Sequence, residues 1–313
     1  MKLSQLVDYL QKLDNFDVAI ARQSLYQDLG PILYQIQNDA IQYTDLSTNL
    51  AKDYENILSR TTEFSNTVNE VKNSIRLQIA YMEPVYFENS IELFKEMQSN
   101  DTDEYLLNKT FALSEELQQF IKGRICLRSD WHYPGLIVRP AKESWIDDMV
   151  ALDPLYVVDE SEGLFEPIKN KFNSVYLNRL RMLVIDKYAE TDMLTQLPDQ
   201  QIAFALIYNF FNYRTLDYIK QFLTELYNKI RPGGIVAMTF NNCDRTGAVD
   251  LVERSFACYT PGSRIKAIAE SMGFEIVFSY DINAAATWVE LMRPGKLDSL
   301  RGGQALAKPV ARS

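Results

Sequence analysis

Imidazole and thiol are scarce in this chain, with one histidine and three cysteines among 313 residues. A histidine-based catalytic triad must use His132 or not exist. That residue sits in Trp-His-Tyr-Pro-Gly, just before a turn and a strand, and reads as structural or solvent-facing. Cys126, Cys243 and Cys258 are far apart and lack the paired spacing of a zinc site. An odd, low count suits a reducing compartment and buried or incidental thiols, and no metal is expected. No run of about 18 apolar residues is present, so nothing is expected to span a bilayer. The start, MKLSQLVDYLQKLD, alternates charge with leucine every three or four positions. It reads as an amphipathic helix rather than a signal peptide, so export through one is not expected. Basic residues are outnumbered, 32 to 42, and the net charge of −10 argues against general binding to nucleic acid or anionic membrane.

What is abundant is heptad periodicity. From residue 29 to 82, apolar side chains recur at two positions of a seven-residue repeat. One set is Leu29, Ile36, Tyr43, Leu50, Ile57, Phe64 and Val71; the other runs from Leu33 through Tyr54, Val68 and Ile75 to Met82. Only Ser47 and Thr61 break the pattern, far fewer exceptions than random placement would give. No proline or glycine interrupts the run after Pro31, which suits a first helical turn because its missing N–H would be unpaired there anyway. The helix should be roughly 80 Å long at 1.5 Å per residue. It cannot bury its own stripe, so residues 29–82 are expected to form a coiled coil with further copies or with helical protein partners, inside a larger protein assembly. The stop is expected near Glu83-Pro84, with a third helical stretch over 88–123 interrupted by a turn at 99–102.

Beyond residue 130 the period changes. Short β-rich runs appear at 135–139, 154–160, 182–186, 202–208, 234–240, 274–280 and 287–292, with helical patterns at 142–151, 164–180, 214–230 and 262–272. Strands separated by helices favour a parallel sheet covered on both faces. Only six residues join the last two strands, too few for a parallel crossover, so the seventh must run antiparallel. The expected fold is α/β: a seven-stranded doubly wound Rossmann-like sheet with an antiparallel last strand, preceded by an all-α region with a long coiled-coil helix. The expected organisation is a helical oligomerisation region (1–124), a sheet domain (125–295) and an extended tail (296–313).

This order of elements resembles the class I S-adenosylmethionine-dependent methyltransferases. TLDYIKQFLTELYNKIRPGGIVAMTF is similar to the family's fourth helix, a Pro-Gly-Gly turn and fifth strand, with Pro232 stopping the helix and Gly233-Gly234 allowing a positive-φ exit. IAFALIYNFFNY resembles the fourth strand and TWVELM the seventh. The resemblance implies S-adenosylmethionine as cofactor, held by a glycine-rich loop after the first strand. Here that loop is Arg139-Pro140-Ala141-Lys142-Glu143-Ser144-Trp145, without glycine, and Glu143 and Ser144 are expected to fill the space the family keeps clear. The second strand ends in Asp159-Glu160, which reads either as the acidic ribose anchor or as a solvated strand end. The resemblance further implies adenine contact by Asp186 or Asp192, alternatively exposed loop acids. Asn209, Asn212 and Tyr213 lie where substrate contacts cluster, although a helix cap and a packing ring explain the last two equally. NNCDR (241–245) reads as a polar rim loop in which Asp244 could cap the next helix.

A second resemblance, of TFNNCDRTGAVDL, ACYTPGSR, TWVELMRPG and SLRGGQALAK, is to methyltransferase-like proteins of large tailed bacteriophages. It implies a place in the virion or the host cytoplasm. Two functions follow. The glycine-free loop favours an interaction protein that assembles through its coiled coil and displays a degenerate methyltransferase-like domain. The acidic strand end and the Pro-Gly-Gly segment support an active S-adenosylmethionine-dependent methyltransferase on the same stalk.

Overall fold

The structure, a computed structural model, describes residues 2–15, 44–99, 114–129, 133–140, 144–160, 162–186 and 191–295. The chain divides into two compact units, Met1–Pro84 and Val85–Ser313.

In the first unit, α1 (Leu3–Asn15) buries Leu3, Leu6 and Val7, the i, i+3, i+4 face of an amphipathic helix. Asp14, near its end, pairs with Lys72 at 2.9 Å on the long helix α2 (Thr44–Ser99). Residues 29–43 of the heptad stripe lie outside the described residues. Farther along the stripe, Val68 is buried, whereas Phe64 and Val71 are 52% and 44% exposed.

The expected stop at Glu83-Pro84 is not observed: α2 continues through Pro84 to Ser99. A proline inside a helix removes one i→i−4 hydrogen bond and crowds the carbonyl four residues back, at a cost of about 3 kcal/mol. Residues 85–99, which belong to the second unit, are held by packing there. Ser90 Oγ accepts the Tyr259 N–H at 2.7 Å, the Phe87 ring meets the Tyr259 ring edge-on at 5.1 Å, and Phe94 meets Tyr218 at 5.5 Å. The expected stretch over 88–123 therefore comprises the end of α2 and a separate helix, α3 (Glu115–Arg128), with residues 100–113 outside the described ones. Ser114 caps α3, accepting from the Leu117 N–H at 3.3 Å. Glu115 and Glu116 favour the same helix end by their charge.

The sheet contains β1 (Gly135–Val138), β2 (Leu155–Asp159), β3 (Leu180–Val184), β4 (Ile202–Ile207), β5 (Ile230–Asn241), β6 (Glu275–Asp281) and β7 (Ala286–Met292). Its order is β3-β2-β1-β4-β5-β7-β6, with β7 antiparallel to both neighbours, as the short link between the last two strands predicted for β7 against β6. Between β6 and β7, Asn283 Oδ1 accepts from the N–H groups of Ala285 and Ala286, each at 2.8 Å. Asparagine closes the short turn in this way because its side chain reaches backbone groups a few residues on.

Alternate residues of the buried strands feed two cores. Ala205 and Ile207 pack with α7 (Leu216–Lys229) through Ile219, Phe222 and Leu226; Phe204 and Leu206 pack with Ile121, Ile125 and Trp145. Trp145 belongs to α4 (Ser144–Asp148). Both faces are covered, so β4 reads as a continuous apolar run. Two short helices, α5 (Glu166–Lys171) and α6 (Ser174–Leu177), connect β2 to β3. Helices α8 (Thr246–Glu253) and α9 (Gly262–Ser271) follow β5.

Pro232-Gly233-Gly234 is not a free turn between helix and strand. Helix α7 ends at Lys229, β5 begins at Ile230, and the three residues form an irregularity inside that strand. Gly233 has φ 76°, and its N–H donates to the Arg293 carbonyl at 2.7 Å. A Cβ on Gly234 would lie 2.9 Å from the carbonyl oxygens of both Ile202 and Arg231.

Candidate ligand site

Strand order reverses at β1, which pairs with β2 on one side and β4 on the other. In open α/β sheets the crevice beyond the carboxyl ends of the strands at this reversal is where ligands bind. The residues arriving there are Arg139 after β1, Asp159 and Glu160 from β2, and Asn209 after β4.

Arg139 turns the corner after β1 in the left-handed region, with φ 44°. This conformation costs a non-glycine residue roughly 1–2 kcal/mol. The side chain is only 6% exposed and runs back over the end of β2, where Nε lies 3.4 Å from Asp159 Oδ1 and Nη2 lies 2.8 Å from Glu160 Oε2. Arg214, which follows the single-turn helix Phe211–Tyr213, places its own Nη2 on the same Glu160 oxygen. Tyr218 donates its hydroxyl to Glu160 Oε1 at 3.1 Å. Burial, and then the Glu160 charge, push the Tyr218 hydroxyl well above its ordinary value, so it stays protonated and remains a donor. The guanidinium of Arg214 lies 4.6 Å from the Phe210 ring centroid and 5.3 Å from that of Phe94. Ring faces at such distances attract a cation through their quadrupoles. Two guanidiniums therefore balance two carboxylates, with aromatic rings around them.

Asp159 is accordingly not a solvated strand end: it is 1% exposed and also accepts the Glu160 N–H at 2.6 Å. Pro140 is half-buried beside Arg139. Ala141 and Glu143 lie outside the described residues, as does the Ser144 side chain, so the side chain seen to fill this corner is that of Arg139. Asp186 and Asp192 are exposed.

Asn209 is buried with φ 57°, and its N–H donates to Thr239 Oγ1 at 2.7 Å. Asparagine tolerates that left-handed conformation better than most residues do. Asn212 donates to Asn209 Oδ1 at 3.2 Å and is not the helix cap; Thr215 caps α7. Tyr213 is buried, as expected of a packing ring. The rim-loop reading of 241–245 fails at its start, because Asn241, Asn242 and Cys243 are buried. Asn242 Oδ1 accepts from the N–H groups of Asp244 and Gly262, both at 3.1 Å, while its amide donates to Thr287. Asp244 caps α9 rather than α8, accepting the Ser263 N–H at 2.7 Å. Burial raises both Cys243 and Cys258, the latter to about 12, so neither thiol is an activated nucleophile. His132 lies outside the described residues. Among the described residues, no group of three or more His, Cys, Asp or Glu is placed to hold a metal ion, and no helix is long and apolar enough to cross a membrane.

Arg214, Tyr218, Phe210 and Phe94 were not singled out in the sequence. A signal was present: two adjacent acids closing a buried parallel strand require cations, and Arg214 is placed shortly after the apolar strand β4.

A ribose at this strand end needs accessible carboxylate oxygens for its hydroxyls. Both oxygens of Glu160 are engaged inside the protein, its side chain is 4% exposed, and Arg139 covers Asp159. In this arrangement the described residues do not fit S-adenosylmethionine.

No protein-family model matches the chain, and no curated protein matches it in sequence. Solved structures similar to it include a SAM-dependent methyltransferase from Aquifex aeolicus, 14% identical, covering 57% of this chain and 89% of that one, with TM-score 0.41. Another is the geranyl diphosphate C-methyltransferase from Streptomyces coelicolor A3(2) in complex with Mg2+, geranyl diphosphate and S-adenosyl-L-homocysteine. It is 8% identical over 57% of this chain and 79% of that one, with TM-score 0.46. An N-methyltransferase from Bradyrhizobium japonicum WM9 is 11% identical, with 58% and 99% covered and TM-score 0.43.

Proposed function

We propose that this chain is an interaction protein, a component of a bacteriophage virion, that assembles through its long helix and carries a methyltransferase-like domain without turnover. One observation carries the reading: Arg139 and Arg214 consume the carboxylates of Asp159 and Glu160 that a nucleoside cofactor would require. The exposed Phe64 and Val71 on the heptad face support the assembly half, with further copies of the chain or helical partners along 29–82. Acidic net charge supports protein partners over nucleic acid or membrane.

The alternative, an active S-adenosylmethionine-dependent methyltransferase on the same stalk, is supported by the position of Asp159 at the end of β2, where the family's ribose anchor stands.

Calorimetry of the full chain with S-adenosylmethionine and S-adenosylhomocysteine tests the choice. No heat of binding is expected at micromolar ligand. Micromolar affinity would overturn the non-catalytic reading, and its loss in Asp159→Ala would establish the enzyme alternative's anchor.

A further inference from the structure

The corner after β1 has the backbone of a glycine corner and the side chain of an arginine. Arg139 has a left-handed φ of 44°. Glycine adopts that conformation without cost, and in doing so leaves the space above the strand end open. Strained residues of this kind persist only where their surroundings over-determine them. Here the surroundings are Asp159 and Glu160, both nearly wholly buried, and the Phe210 ring 5.4 Å from the guanidinium. The guanidinium reaches the two carboxylates from the end of β1, the strand at which the order reverses.

We propose that Arg139 is the residue that closes this site to nucleosides. Its side chain is a built-in occupant that compensates the carboxylates in place of ribose hydroxyls. The inference rests on the proposed non-catalytic reading and adds a cause to it. Arg214 and Tyr218 hold Glu160 independently and would keep one carboxylate compensated after Arg139 is removed, whereas Asp159 Oδ1 would lose the Arg139 Nε contact.

The test is titration of S-adenosylhomocysteine into the full chain and into Arg139→Gly, Arg139→Lys and the double variant Arg139→Gly/Asp159→Ala. Glycine relieves the backbone and clears the corner; lysine keeps bulk and charge. At least a tenfold gain in affinity is expected for Arg139→Gly over the unmodified chain, with none for Arg139→Lys and loss of the gain in the double variant. A folded Arg139→Gly chain with no gain would overturn the inference while leaving the non-catalytic reading standing. Micromolar binding by the unmodified chain would overturn both. Should the glycine variant fail to fold, Arg139→Asn, short and tolerant of the left-handed region, takes its place. If neither variant folds, Arg139 is a support of the fold alone and the inference is wrong.

Discussion

The Ser90 hydroxyl donates to the Tyr86 carbonyl and accepts the N–H of Tyr259, each at 2.7 Å, so one side chain joins positions 169 residues apart. Both of its capacities are used in a buried setting. The last turns of α2 are thereby part of the sheet domain's own packing.

Ser90→Ala would leave the buried Tyr259 N–H without its acceptor and is expected to destabilise the chain by about 1–3 kcal/mol. Urea denaturation followed by fluorescence measures this. A fragment of residues 85–313 should likewise unfold at higher urea than one of residues 114–313, which keeps α3 but lacks Ser90 and Phe94. Equal midpoints would contradict the anchoring described.

Glu290, wholly buried in β7, accepts two hydrogen bonds from Arg124 at 2.6 Å and two from Arg128 at 3.0 and 2.8 Å. Burial works against its charge, but the Arg124 hydrogen bond and the charges of Arg128 and Arg124 outweigh it and hold the carboxyl below 4.5. A lowered folded-state value means this stabilisation is complete above pH 4.5 and is lost as pH falls through that lower value. The unmodified chain should therefore lose stability below pH 4.5 more steeply than Glu290→Gln. At neutral pH that variant, leaving two guanidiniums uncompensated, should be weaker by about 3–5 kcal/mol. Urea midpoints at neutral and strongly acidic pH give both quantities.

Gly234→Ala would set a methyl group against two backbone carbonyls, that of Arg231 in β5 and that of Ile202 in β4, which no side-chain rotation can relieve. Strand β5 must shift, and a loss of about 1–3 kcal/mol is expected. Thermal unfolding reads it; an unchanged midpoint would show that the strand irregularity yields easily.

Phe64→Asp combined with Val71→Asp should dissociate the assembled particle while leaving the sheet domain folded, because unpaired charge on the buried stripe of a coiled coil is strongly unfavourable. Sedimentation velocity at micromolar concentration is the measurement. A monomeric unmodified chain would end the homo-oligomer proposal.

The sheet was legible because its signals are local and repetitive. Apolar runs such as 202–208 and the six-residue link before TWVELM each constrain topology without knowledge of distant contacts. The continuation of α2 past Pro84 was not legible, because contacts from Ser90 and Phe94 outweigh a local helix breaker. For the site, the acidic strand end and the missing glycine were readable, yet their meaning depended on Arg139 and Arg214. Those residues stand far apart in the chain and meet on Glu160 and over the Phe210 ring. Periodicity and spacing call for a cation near the acids and put Arg214 close to a strand end, but they do not show that the two arginines converge.

The last strand in the sheet order, β6, shows one further departure from regularity. Ile276 faces Leu291 and Phe278 faces Glu290, so Val277 is an extra residue with no partner on β7. This bulge twists the outer rim of the sheet and puts its outward amide and carbonyl groups out of step with any straight strand laid alongside. Neighbouring copies are thus discouraged from zipping edge to edge at this end, and crowding of many copies would not weld their sheets together there.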